Sequence, residues 1–192
     1  MRYLKYILIF SLFFACKKQI PPVLDSGIEE VDPRKFVSTD VSTSNNVETG
    51  IGIIQVPSYN VIHDEFTVML PSTLQLHDTY LKSVKMYAAN KEESIIAILT
   101  HYPSKYTDLD ALFDNQSSQL LSQGGKIVGH GKLYIYGKLY LFIASYKDEM
   151  HVWQWMTLIN GKKWALSCGQ MNDDIDSAYD VCRGIAHTLN IE

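Results

Sequence analysis

Residues 126–168 read KIVGHGKLYIYGKLYLFIASYKDEMHVWQWMTLINGKKWALSC, and this run holds four apolar segments in close succession. Short polar turns separate the segments, and the pair Asn160-Gly161 stands at the last joint. An Asn-Gly pair suits the positive φ angles of a tight two-residue hairpin. The run therefore predicts a mainly antiparallel meander of strands, over residues 126–136, 139–146, 151–159 and 162–168.

Two amphipathic helices are predicted, one before and one after this meander. The first begins at Thr107, whose hydroxyl can cap the opening turn, and the pair Gly124-Gly125 ends it. The second covers residues 173–190 and opens on acids that favour the positive end of a helix dipole. In each helix the apolar residues recur on one face at helical spacing: Leu109, Leu112, Phe113 and Leu120 in the first, and Ile175, Ala178, Tyr179, Cys182, Ile185, Ala186 and Leu189 in the second.

The chain ahead of the first helix also predicts strands. Residues 66–71, FTVMLP, alternate and stop at a proline, and residues 84–88 and 95–102 flank a polar turn. Each amphipathic helix must bury its apolar face against another layer, so the helices and the meander together predict an α+β domain. We expect a layered α/β/α sandwich with a mainly antiparallel meander sheet, spanning residues 51–192.

The N-terminus predicts an export signal. Arg2 and Lys5 precede an uncharged apolar run that ends at Ala15-Cys16. A permanent membrane helix needs roughly 20 apolar residues, and this run is too short to span a bilayer. We therefore predict a cleaved signal peptide over residues 1–15.

Cys16 follows the small residue at the predicted cleavage point, where its thiol can receive a diacylglyceryl group. The tetrad Phe13-Phe14-Ala15-Cys16 resembles the bacterial lipobox, with Phe replacing the usual Leu and small residue at its first two positions. Lipidation of Cys16 predicts a protein anchored to a membrane of the bacterial cell envelope, with its domain in the periplasm. Lys17 at the next position favours the outer membrane over the inner. The alternatives are a plain signal peptide with an incidental cysteine, and a cytosolic protein with a buried N-terminal helix.

Residues 16–50 are predicted to form a flexible, lipid-anchored linker. They contain three prolines and a polar run of Ser, Thr and Asn, with no sustained apolar period. A segment that orders on meeting a partner is the alternative. Without residues 1–15 the chain carries 15 Lys and Arg against 21 Asp and Glu, so nucleic acid is a poor partner for its surface.

The order of elements resembles that of a known superfamily: a Phe-x-Val-x-Leu-Pro strand at residues 66–71, an early hairpin, a helix, a long meander, and a closing helix preceded by Leu166-Ser167-Cys168. Over about residues 60–192 the chain resembles the PsbP-like superfamily of α/β/α sandwiches, and most closely its bacterial envelope lipoproteins of the DcrB type. The resemblance implies a non-enzymatic domain used for docking or assembly. It transfers no catalytic residue, and the metal sites of some plant members match no positions here.

Cys168 and Cys182 are the cysteines that remain once Cys16 is lipidated. Cys168 is in phase with Trp164 and Leu166 on its strand, and Cys182 lies on the apolar face of the closing helix. Export places both cysteines where disulfides persist, and the helix must fold back onto the sheet. We therefore predict a disulfide between them. Two buried free thiols, or one reactive thiol, are the alternatives.

The sequence contains no recognised catalytic motif, cofactor motif or metal-binding motif. The closest approaches to a metal site are Asp148-Glu149-x-His151 and Asp173-Asp174-x-Asp176. The first falls in a predicted turn, and the second suits a helix start better than a calcium loop, which needs a glycine and a distal Glu. No Gly-x-Ser-x-Gly nucleophile motif and no phosphate-binding loop occurs.

The meander is rich in aromatic residues: Tyr134, Tyr136, Tyr140, Phe142, Tyr146, Trp153, Trp155 and Trp164. Core packing explains most of them, and an exposed aromatic surface for a partner is the alternative, since aromatic residues are enriched at interface cores. We predict a lipid-anchored envelope protein that has a binding or assembly role, an envelope protein partner and no cofactor. An envelope hydrolase with an unrecognised site, and an immunity protein that binds a toxin, are the rival functions.

Overall fold

The computed structural model describes the backbone of residues 44–49, 52–79, 81–171 and 175–192, and within these ranges the side chains from residue 58 onward. The predicted signal peptide of residues 1–15, Cys16, the linker up to residue 43, Asp173 and Asp174 lie outside the described residues. In chain order the elements are β1 (Ser44–Thr49), β2 (Gly52–His63), β3 (Phe66–Pro71), β4 (Gln75–Leu76), β5 (Val84–Ala89), β6 (Ile95–Pro103), α1 (Leu109–Ser122), β7 (Lys126–Ile135), β8 (Lys138–Lys147), β9 (Met150–Ile159), β10 (Lys162–Gln170), α2 (Ile175–Thr188) and β11 (Asn190–Ile191).

The predicted meander forms most of a seven-stranded sheet. Its strand order is β4-β5-β6-β10-β9-β8-β7, and each pair of neighbours is antiparallel. Asn160 and Gly161 connect β9 to β10 with φ angles of 51° and 71°, which confirms the tight turn. Because β6 pairs with the last strand of the meander, the first strand, β7, lies at the edge of the sheet.

A second sheet has four strands in the order β1-β2-β3-β11, of which the sequence predicts only β3. β1 lies within residues 16–50, which the sequence assigns to the linker, so regular structure begins before residue 51. The pairing joins Ser44 to Pro57 and Thr49 to Gly52. Backbone hydrogen bonds form this ladder, and they do not require apolar side chains. Because residues 44–49 are mostly polar, they show no apolar pattern that would predict a strand.

Both helices lie close to their predicted positions, with small differences at their ends. The carboxylate of Asp108 caps α1, because it accepts a hydrogen bond from the Ala111 N–H at 2.7 Å. The predicted cap at Thr107 is therefore wrong by one residue. α2 ends two residues before its predicted end, because Asn190 and Ile191 leave the helix and pair with β3.

The two faces of the larger sheet are covered by different layers. Trp164, Leu166 and Cys168 of β10 belong to the main core, together with residues of β3 and α2. Ala165, which points to the other face, packs in a cluster with Leu112 of α1. The layers are thus α1, then the seven-stranded sheet, then α2 beside the smaller sheet. This arrangement confirms the predicted α+β fold class. Among the described helices, neither is long and apolar enough to cross a membrane.

Candidate functional site

A cluster of charged side chains joins the two sheets. Glu65, in the turn between β2 and β3, places its carboxylate 2.6 Å from the ammonium of Lys85 and 3.2 Å from that of Lys162. His101 of β6 lies 3.9 Å from the same carboxylate and packs edge-on against Trp164. Sequence reading missed this cluster, because its members come from four separate segments and show no common spacing.

The electrostatics of the cluster favour a structural role over acid–base catalysis. Hydrogen bonds from Lys85 and Lys162 lower the pKa of Glu65 to about 2. A general base works best with a pKa near the operating pH, and this carboxylate is far below it. Burial lowers the pKa of His101, and the nearby Lys85 charge adds to the effect. The cluster holds the β2–β3 turn against the end of the larger sheet.

The predicted disulfide is present. The sulfurs of Cys168 and Cys182 are bonded at 2.01 Å, and their Cα atoms are 5.8 Å apart. Both residues are fully buried between β10 and α2. The alternatives of two free thiols and of a reactive thiol are therefore wrong, and the bond serves as a covalent link within the core.

The residues considered as metal ligands that the structure describes lie at a turn and at a helix start, and Asp173 and Asp174 are outside the described residues. Asp148 and Glu149 form the turn between β8 and β9, with φ angles of 51° and 64°. His151 follows on β9, where it pairs with Tyr146 of β8. Asp176 lies in the first turn of α2. Within the part of the chain that the structure describes, no three His, Cys, Asp or Glu residues are grouped to hold a metal ion.

A small cavity lies between α1 and the larger sheet, lined by Gln116, Ser117, Leu120, Ile143 and Gln154. Its volume is about 10 Å³, which is room for about one water molecule. Pockets that hold small-molecule ligands are usually roughly 300–1,000 Å³. This cavity is therefore too small for a substrate.

The aromatic residues of the meander differ in exposure, and Phe142 and Tyr146 are partly buried. Tyr140 and the three tryptophans, Trp153, Trp155 and Trp164, are buried in the core, as the packing interpretation predicts. Tyr134 and Tyr136 are 57% and 59% exposed. The exposed pair lies on the hairpin of β7 and β8, so an exposed aromatic surface exists alongside the aromatic core.

We define the β7 edge surface as Lys126, Val128, Lys132, Tyr134 and Tyr136. The first four lie on the edge strand, and the last lies in the turn that follows it. Val128 is 65% exposed, at a bulge where the pairing with β8 shifts between Ile127 and Gly129. Sequence reading did not separate these residues from the core aromatics, because strand order alone decides which strand lies at the edge.

The β7 edge surface rests on a braced strand. On the face that α1 covers, the ring of Phe113 stacks on that of His130 with centroids 4.4 Å apart. At the same face, the ammonium of Lys132 lies 2.7 Å from the carboxylate of Asp110. These contacts from α1 hold the middle of β7 in place, so the exposed side chains project from an ordered strand.

Tyr136 has an unusual backbone conformation for an aromatic residue. Its φ angle is 48°, and that of the following Gly137 is 73°, so both residues occupy the left-handed region of a tight hairpin turn. Asn, Asp and Gly are the residues usually found there, and bulky residues adopt it at a cost. The chain thus holds a large exposed ring at a position where a small polar residue would be less strained.

Solved structures resemble this chain over most of its length. The solution structure of cyanobacterial PsbP (CyanoP) from Synechocystis sp. PCC 6803 matches with a TM-score of 0.54 at 16% identity, and the match covers 74% of this chain and 96% of that one. The fold is PsbP-like. At this identity the likeness shows the fold alone. No family model and no curated protein matches the chain.

Two further solved structures match this chain with lower scores. The crystal structure of a Pseudomonas aeruginosa protein of unknown function, PA94, has a TM-score of 0.48 at 9% identity, over 70% of this chain and 97% of that one. A crystal structure from Bacteroides thetaiotaomicron has a TM-score of 0.41 at 10% identity, over 72% of this chain and 49% of that one. Scores at this level carry no argument about function.

Proposed function

We propose that this protein is a lipid-anchored component of the bacterial cell envelope, and that its PsbP-like domain binds a protein partner without catalysing a reaction. The observation that carries the proposal is the exposure of Tyr134 and Tyr136 on one hairpin at an edge of the larger sheet. Tyrosine is enriched in protein interfaces, where its ring provides a large contact area. The left-handed backbone of Tyr136 lowers the stability of the folded domain. Such strained residues are concentrated at functional sites.

The geometry of the charged groups favours binding over the rival hydrolase function. A hydrolase needs a base with a pKa near neutrality beside an accessible pocket. The carboxylate of Glu65 has a pKa of about 2, and the cavity beneath α1 has room for about one water molecule. The Glu65 ion pairs serve stability, whereas the rings of Tyr134 and Tyr136 on the β7 edge surface are more than half exposed.

The lipid anchor is supported by the N-terminal sequence. Two basic residues, a short apolar run and the junction Ala15-Cys16 together have the pattern of a lipoprotein signal. A single acyl chain gives marginal membrane binding, whereas several chains give a stable anchor. A multiply acylated Cys16 would therefore retain the domain at the membrane, and the resemblance to DcrB-type envelope lipoproteins points the same way. Lys17 favours the outer membrane.

The anchor is tested by Cys16→Ser in cells that are labelled with a radioactive fatty acid and then fractionated. The wild type is expected to carry label and to sediment with membranes, and the variant to lose both properties. Cys182→Ser, which removes a core cysteine and leaves Cys16 intact, is the control and is expected to keep its label. An unlabelled wild type, or a labelled Cys16→Ser variant, would contradict lipid anchoring.

Partner binding is tested by capture from chemically cross-linked envelopes, with each complex quantified by mass spectrometry. The double variant Tyr134→Ser and Tyr136→Ser is expected to lose most of the complex that the wild type forms. Ile62→Ser, which replaces an apolar residue that is 79% exposed on β2, is the matched control. Equal yields from the wild type and the double variant would contradict binding through this hairpin.

A further inference from the structure

We infer that residues 17–43 of the mature chain pack on an apolar face of the larger sheet instead of forming a flexible linker. We call this surface the β5–β6 face, and it consists of Val84, Tyr87, Ala89, Ile96, Ile98, Met150 and Val152. The inference takes from the proposed function only the removal of residues 1–15, and it depends on neither the lipid nor the partner.

The β5–β6 face lies on the same side of the larger sheet as α1. Ala165 of β10 clusters with Leu112 of α1, and Ser167, two residues further along the strand, points to the same side. Ser167 pairs with Ile98 of β6, which pairs in turn with Tyr87 of β5. Directly paired residues share a face of the sheet. The surface on which α1 lies therefore continues over β6 and β5.

α1 does not reach the β5–β6 face. The helix packs on β7 and β8, whereas β5 and β6 lie towards the opposite edge of the sheet. Because neighbouring strands are about 4.8 Å apart, β6 lies roughly 14 Å from β8, and β5 lies roughly 19 Å from it. A helix with its side chains has a radius of about 5–6 Å. The ring of His77 contacts that of Tyr87 beside β4, which leaves the middle of the face to be covered by other residues.

The residues of the β5–β6 face are nevertheless buried. Tyr87, Ile96, Ile98 and Val152 are each 3% exposed or less. Since α1 and His77 cover only its margins, this burial requires further residues of the same chain. The short stretches 50–51, 80 and 172–174, which also lie outside the described residues, are too short to cover several strands. The N-terminal part of the chain is long enough, and the mature protein keeps residues 16–43 of it.

The chain enters the described fold at Ser44, close to the edge of the sheet beside this face. Ser44 pairs with Pro57 of β2, and two residues further along β2 the hydroxyl of Tyr59 donates a hydrogen bond to the carbonyl of Leu74 at 3.0 Å. Leu74 precedes β4, the edge strand that pairs with β5. Residues 17–43 could span roughly 90 Å if extended, so they can pass around β4 and reach the β5–β6 face.

The composition of residues 17–43 suits this face. A contiguous apolar surface of several strands is rarely left exposed on a monomeric protein. The segment is polar overall but contains eight apolar side chains: Ile20, Val23, Leu24, Ile28, Val31, Phe36, Val37 and Val41. Their spacing follows neither the helical nor the strand period, so they predict no regular element although they can supply apolar contacts.

The experiment uses the mature chain, residues 16–192, with Cys16→Ser and nitrogen-15 labelling. Ser26→Cys then supplies one free thiol for a nitroxide spin label, because Cys168 and Cys182 are bonded to each other. The nitroxide is expected to broaden the amide signals of residues 87–89, 96–98 and 150–152 and to leave those of β7 sharp. A flexible linker would instead broaden residues near Ser44 and no particular strand of the larger sheet.

Variants within the segment test the apolar contact. Leu24→Asp and Ile28→Asp are each expected to lower the melting temperature by about 4 °C and to raise the fluorescence of the dye ANS, which binds exposed apolar surface. Ser26→Asp adds the same charge between these positions and is the matched control, which should change neither quantity. Leu24→Asp should also abolish the broadening from the nitroxide at residue 26.

Three results would overturn the inference. The first is no broadening on the β5–β6 face, and the second is strong ANS binding by the wild-type mature chain, which would show a bare face. The third is broadening when the nitroxide is on a separate, unlabelled copy, which would show that a second chain covers the face. None of these results bears on envelope capture through Tyr134 and Tyr136, so the proposed function fails or stands separately.

Discussion

Glu65 and Lys85 join the two sheets through an ion pair, with the carboxylate oxygen 2.6 Å from the ammonium nitrogen. Lys162, at the start of β10, holds the other carboxylate oxygen at 3.2 Å. One side chain in a turn therefore links the smaller sheet to two strands of the larger one. Both links depend on the ionised form of Glu65.

Glu65→Gln is expected to lower the free energy of unfolding by about 1 kcal/mol at pH 7, because the variant loses the attraction to both lysines. The pKa of Glu65 falls from 4.5 to about 2 on folding, so its contribution is full above pH 4.5 and is lost as the pH falls towards 2. Urea unfolding at pH 7 and pH 3 measures this difference. Glu92→Gln, an exposed acid between β5 and β6, is the control. A loss of stability that is equal at both pH values would contradict the assignment.

Cys182→Ala is expected to lower the free energy of unfolding by about 3 kcal/mol, since the disulfide closes a loop across 14 residues. Thermal unfolding of oxidised and reduced protein measures the effect. The reduced wild type should unfold close to the temperature of the Cys168→Ala and Cys182→Ala double variant. Two free thiols in the oxidised, denatured chain would show that the bond is absent.

The sequence predicts those parts of the fold that depend on local patterns. The hairpin at Asn160-Gly161 follows from turn chemistry, and α1 and α2 follow from helical spacing of apolar residues. The disulfide follows because Cys168 lies on an apolar face of a strand and Cys182 on an apolar face of a helix, and these faces must meet. Each of these signals lies within a short stretch of chain.

The remaining features depend on contacts between distant segments. β11 has only two residues and forms because they meet β3, about 120 residues earlier in the chain, a pairing that no local pattern encodes. The edge position of β7 results from the pairing of β6 with β10. The aromatic content of the meander can therefore be predicted from the sequence, but which rings remain outside the core cannot.

Tyr136→Asn is expected to raise the free energy of unfolding by about 0.5–1 kcal/mol, because Asn tolerates the left-handed conformation at φ 48° better than Tyr does. Thermal denaturation measures the gain. Asn160→Tyr, at the equivalent turn position with φ 51°, is the reciprocal control and should cost a similar amount. The Tyr136→Asn variant should also capture less partner. A variant that is both less stable and fully competent in capture would contradict a functional role for the ring.

Lys163→Met is expected to stabilise the domain by about 1 kcal/mol at pH 7, because burial desolvates the Lys163 charge and its contact with the Tyr102 ring, 5.7 Å from the ammonium, offsets only part of that cost. Burial lowers the pKa of Lys163 from 10.5 to about 8. The penalty in the wild type is therefore full below pH 8 and declines as the pH rises towards 10.5. Urea unfolding at pH 7 and pH 9.5 should show a smaller gain at the higher pH. Lys82→Met, at an exposed position, is the control, and a destabilised Lys163→Met variant would contradict the prediction.

The binding account is tested most directly by a photoreactive side chain placed in intact cells. Tyr136 is replaced by p-benzoylphenylalanine, and Leu76, which is 47% exposed on the opposite edge strand β4, is replaced in the same way as a control. After irradiation, the account predicts one dominant cross-linked envelope protein from position 136, mapped to a single segment, and much less product from position 76. No cross-linked protein from position 136, or the same products from both positions, would contradict it.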